Sequence, residues 1–115
     1  MSLVALVQGV YFLLTGVWPI VHLRSFLAVT GPKADLWLVK TVGAAVGVIG
    51  LVILLSGRGG RVPPEIILLG VGSAAALGAV DVVYVTKRVI PKVYLLDAAA
   101  EAALILAWAV AWWLG

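Results

Sequence analysis

The chain contains no cysteine and a single histidine, His22. Without thiols it has no disulfide framework, no thiolate metal site and no cysteine nucleophile. One imidazole cannot complete a zinc or copper centre or a bis-histidine haem, so neither metal nor cofactor is expected. Charge is scarce as well. Charged residues make up 11% of the 115 positions and apolar residues 64%, with a mean hydropathy of +1.22, whereas soluble domains carry about 25% charged residues. That composition excludes a water-soluble monomer, and the length excludes two globular domains. Strictly alternating runs of the kind a membrane β-barrel needs are missing. The segment Gly57-Arg58-Gly59-Gly60-Arg61 lacks the Gly-Lys-Ser/Thr ending of a phosphate loop, and no serine lies in a nucleophile elbow.

Long apolar runs are what the sequence does have. Four of them, at about residues 3–23, 36–55, 65–86 and 93–114, each approach the ~20 residues that cross about 30 Å of hydrocarbon. In lipid the backbone must satisfy its own polar groups, so these runs are helices. Thr30-Gly31-Pro32, Ser56-Gly57 and Pro91 break the pattern, Asp35 is placed to cap the second helix, and Pro63-Pro64 opens the third. The expected fold is all-α: one transmembrane domain over residues 1–115, an integral membrane four-helix bundle with short loops. No basic leader or small-residue cleavage pattern marks the first run as a removable signal peptide. Arg24-to-Thr30 either extends the first helix beyond Pro19 or lies along the headgroups as an amphipathic turn.

The net charge of +3 comes mostly from residues flanking apolar blocks, which fits lipid headgroups and no nucleic-acid partner. Arg24 and Lys33 in the first loop and Lys87, Arg88 and Lys92 in the third outnumber Arg58 and Arg61 in the second. The positive-inside rule then makes the first and third loops cytoplasmic and both termini external, as in a bacterial inner membrane.

Polar residues within the spans are the functional candidates, because a charge at mid-membrane costs at least about 2.5–3.5 kcal/mol on insertion scales. Asp97 and Glu101 lie four residues apart on one face of the fourth span, a face that continues through Trp108 and Trp112. Asp81 and Tyr84 lie near the end of the third span, and Lys40 near the start of the second. In the first, Gln8, Tyr11, Thr15, Trp18 and His22 repeat at spacings of three and four, forming a polar seam. Lys40 against Asp81, Asp97 and Glu101 leaves an excess of acid that a proton, a reaching cation or a ligand must neutralise. Small residues at Gly43, Gly47 and Gly50, at Gly70 and Ala74, and at Ala75 and Ala79 form close-packing rows.

The combination of Trp18-Pro19, His22, Thr30-Gly31-Pro32-Lys33, Asp35-Leu36-Trp37-Leu38-Val39-Lys40-Thr41-Val42-Gly43, Asp81-Val82-Val83-Tyr84 and Val93-Tyr94-Leu95-Leu96-Asp97 resembles small four-span bacterial membrane proteins, a resemblance that implies the fold and no activity. More broadly, the chain is similar to four-span sterol-isomerase and sigma-2-receptor type proteins in setting membrane-buried carboxylates beside tryptophan, which implies a cationic or carbocation-like ligand. Small multidrug transporters are similar in length, but where their pattern has a glutamate in the first span this chain has Gln8.

The residues themselves support a ligand site. Trp18, His22, Lys40 and Asp81, with Tyr84, Asp97, Glu101 and Trp108, are expected to line a polar cytoplasm-facing pocket that binds, and in an extended form transports, a small amphipathic or lipid-like ligand. Two alternatives use the same groups: acid/base chemistry on a lipidic substrate, or packing within a membrane complex as an accessory subunit or a homo-oligomer.

Overall fold

A computed structural model describes residues 1–115 as five helices without strands: α1 (Ser2–Val21), α2 (Leu23–Thr30), α3 (Leu36–Arg58), α4 (Pro64–Thr86) and α5 (Tyr94–Leu114). All but α2 are long and apolar enough to cross a membrane, so the all-α four-helix membrane bundle read from the sequence is the architecture observed. The bundle measures 43 × 28 × 18 Å. Large apolar side chains such as Leu3, Trp37, Leu68, Leu106 and Trp113 point outward, a surface that only lipid or another apolar partner tolerates.

The spans associate as two unequal pairs. α1 and α3 meet backbone to backbone through glycine: a Cβ on Gly16 would come within 2.5 Å of the Gly43 carbonyl oxygen, and one on Gly50 within 2.5 Å of the Leu13 nitrogen. Where lipid tails are as apolar as leucine, such close contact supplies the dispersion energy that hydrophobic exclusion cannot. The Gly43, Gly47, Gly50 row and the Gly70, Ala74 row are buried as expected, but Ala75 and Ala79 lie exposed on the outer face of α4. α4 packs on α5, with Gly78 facing Glu101 and Gly70 facing the Trp108 indole.

Several boundaries differ from the sequence reading for local reasons. α1 ends at Val21 instead of about 23: Pro19 has no N–H to offer the Thr15 carbonyl, and His22 turns off the axis at φ −141°, ψ 76°. The following stretch is a separate helix, α2, begun by the His22 side chain accepting the Ser25 N–H. Asp35 occupies the N-cap of α3, but its carboxylate makes no capping bond. Its main-chain carbonyl accepts the Leu38 and Val39 N–H groups instead. α3 runs on to Arg58, past the expected stop, because Gly57 fits tightly against Ala5 and the Ser2 carbonyl of α1.

The α2–α3 and α4–α5 connectors meet at one end, where Gly31 abuts Pro91. At the other, the α3–α4 turn lies at the same end as the start of α1 and the end of α5, with the Met1 side chain next to Gly115.

Candidate functional site

A polar seam runs between the two pairs of spans. Its deeper part centres on Gln8, fully buried on α1. The Trp108 indole N–H of α5 donates to Gln8 Oε1 at 2.6 Å, and Gln8 Nε2 donates to the Gly70 carbonyl of α4 at 2.8 Å. Three helices are therefore joined by one amide. Gly70 has to be glycine here, since a Cβ would lie 2.9 Å from both Gln8 Oε1 and Trp108 Nε1. Thr15 and Ser73 turn their hydroxyls back onto carbonyls of their own helices and leave the seam to the larger groups.

About two to three turns along α5 from Trp108, toward the connector end, lie the acids. Spaced by four residues, Asp97 and Glu101 fall on one face. Asp81 enters from α4, about 7 Å inside the end of that helix at 1.5 Å per residue. Asp97 accepts the phenol O–H of Tyr11 from α1 and lies close enough to both Asp81 and Glu101 to interact with each directly. Glu101 is 1% exposed and Asp81 6%. Asp81 Oδ2 and Glu101 Oε1 are both buried without a hydrogen-bond partner. No lysine, arginine or histidine acts on these two carboxyls, and the groups that do are one another and Asp97. Three carboxyls and a phenol thus cluster between α1, α4 and α5, two of the carboxyls buried and Asp97 and Tyr11 half-buried, without a countercharge.

Four of the eight residues expected at the site belong to this seam: Asp81, Asp97 and Glu101 in the cluster, and Trp108 in the Gln8 tie. Lys40 is exposed on α3 and takes no part. Its long side chain gains more at the water boundary than facing a core filled by the glycine seam. Trp18 donates its indole N–H to Ser25 Oγ at 2.8 Å and stacks edge-on against Phe26, fastening α2 to α1. His22, exposed, contacts Ser25 Oγ through Nδ1 at 2.6 Å as part of the same hook. Tyr84 is 41% exposed, with the Lys87 ammonium 5.8 Å from its ring.

Sequence reasoning placed Tyr11 and Gln8 on the polar seam of the first span but not in the site. Their three- and four-residue spacing was the available signal, and what it lacked was which neighbour that face meets. The carboxyls form no group that could hold a metal ion. Around and beyond Trp108 the α4–α5 surface opens into a groove of about 280 Å³ lined only by apolar residues, among them Ile105, Trp112 and Trp113 on α5 and Ile67 and Val71 on α4. Ile105 lies one turn past Glu101, so the groove continues the acidic face toward the far end of the bundle.

No known protein family, no characterised protein and no solved structure matches this chain.

Proposed function

We propose that the protein binds a small amphipathic, positively charged molecule between α1, α4 and α5, the charge at Asp97 and Glu101 and the apolar part directed along α5 toward the groove beyond Trp108. The observation that supports this reading is the uncompensated acid: Asp81 and Glu101 each bury an oxygen with no donor facing it. Three adjacent ionised carboxylates at such a depth would repel one another at a cost that only protons or a cation relieve. An accessory subunit using these acids merely to fix helix register would pair them with basic groups, and the cluster has none. A cation bound among these carboxyls would exchange with protons. Proton coupling of this kind is what the transport form of the proposal requires. The membrane is a bacterial inner membrane, with the Gly31–Pro91 end cytoplasmic.

Tetraphenylphosphonium, compared with the anion tetraphenylborate of the same shape, tests the reading on the purified protein in neutral detergent, measured against protein-free micelles. The cation is expected to bind selectively. Lowering the pH should weaken binding, because protons then compete for the same carboxyls. Glu101→Gln should raise Kd about tenfold, equivalent to about 1.4 kcal/mol, while Glu65→Gln, at an exposed position on α4, should leave it unchanged. Equal affinity for both ions, or an unaffected Glu101→Gln variant, rejects the proposal.

A further inference from the structure

Six of the eight basic residues (Arg24, Lys33, Lys40, Lys87, Arg88 and Lys92) belong to the connector end or to the helix turns beside it. The two connectors there are locked together. Lys33 Nζ donates to the Thr30 hydroxyl at 2.9 Å and to the Gly31 carbonyl at 3.1 Å, and it lies 5.1 Å from the centre of the Tyr94 ring of α5. Gly31, at φ 95°, approaches Pro91 so closely that a Cβ would meet the proline ring at 3.0 Å. Two prolines, a glycine and a cation–π contact leave this joint little freedom.

Beside the joint opens a cleft of about 610 Å³. Its lining combines two cations, Arg88 and Lys92, with the apolar Val85, Val89 and Ile90 and with Gly31 and the two prolines of the joint, and it holds no carboxylate. Lys33 is engaged inside the joint, whereas Arg88 and Lys92 are exposed. Arg88 holds a left-handed backbone, φ 60°, which L side chains rarely adopt. The turn closes around it through the Arg88 N–H to the Val85 carbonyl at 3.0 Å and the Val89 N–H to the Tyr84 carbonyl at 2.9 Å. Asparagine or glycine would suit that conformation better. Arginine there sets a guanidinium at the cleft at the expense of local strain, the kind of outlier that points to function.

The cleft lies between the last residue of α4, Thr86, and the first of α5, Tyr94, the level at which two membrane spans leave hydrocarbon for headgroups. Its lining brings cationic and aliphatic residues together, as a group that carries phosphate at one end and acyl chains at the other requires. We propose that the cleft binds the phosphate headgroup of an anionic membrane lipid, with Arg88 presenting its planar fork to two phosphate oxygens and Lys92 adding a second positive charge. This site is separate from the acid cluster and does not depend on it.

Native mass spectrometry of the intact chain, released from mixed micelles containing equal phosphatidylglycerol and phosphatidylcholine, tests the assignment. Wild-type protein is expected to retain phosphatidylglycerol selectively, and the double variant Arg88→Gln/Lys92→Gln should lose that selectivity about tenfold. Arg58→Gln/Arg61→Gln removes the same charge from the opposite end and should retain it. Should the first double variant fail to fold by circular dichroism, the single Lys92→Gln carries the test, with a threefold loss expected. Equal retention of the two lipids overturns the proposal, as does an equal loss in both double variants. Displacement of the lipid by millimolar inorganic phosphate would assign the cleft to the free anion and also overturn it.

Discussion

Gly16 faces Gly43 and Gly47 with no side chain between the two backbones. A methyl group at that position has no direction in which to relax, because the atoms it meets are main chain. Gly16→Ala should therefore destabilise the bundle by the about 1–3 kcal/mol typical of overpacking, seen as a lower melting temperature in detergent. Gly72→Ala on α4, where nothing lies within 4 Å, should melt with the wild type. Buried polar residues obey a different rule. Gln8 satisfies both its own amide and the Trp108 indole, so an apolar replacement would leave the indole N–H without a partner in a medium that offers no water. At Asp81 and Glu101 the imbalance is already built into the native state.

At the level of elements, the four spans were legible because twenty-residue apolar runs admit few alternatives in a membrane. The acid pair on the last helix could be read in the same way, since a spacing of four fixes a common face whatever the helix packs against. What stayed hidden depends on rotation about the helix axis. Lys40 and Asp97 both lie about a turn inside their spans, yet one faces outward and the other meets Tyr11. Helices of low amphipathicity, apolar nearly all round, carry no sequence record of which side turns inward. The Trp18 and His22 positions misled for a related reason. Their spacing continues the polar seam of α1, but the chain leaves the helix axis at His22, and both residues serve the hook to α2. That hook rests on Ser25, whose hydroxyl receives the Trp18 N–H. Ser25→Ala should speed amide hydrogen exchange across residues 23–30 while exchange in the spans stays as slow as before.

For the whole molecule, the distribution of basic residues sets the expected placement in the membrane. A phosphatase reporter that is active only after export should work when inserted at Gly60, in the α3–α4 turn, and fail at Ala34, at the connector end; the opposite result would invert the bundle. The two halves also differ in how they are held. α1 and α3 are fused along a glycine seam with no polar contact between their side chains, whereas their attachment to α4 and α5 passes through the Gln8 amide, the Trp108 indole and the Tyr11–Asp97 bond. Dispersion between close backbones is spread over many atoms, whereas each of these cross-ties is a single directional bond that one substitution removes. The molecule is thus jointed like a pair of tongs held by a few small rivets: removing one loosens the grip of one pair of spans on the other and leaves the α1–α3 seam as it was.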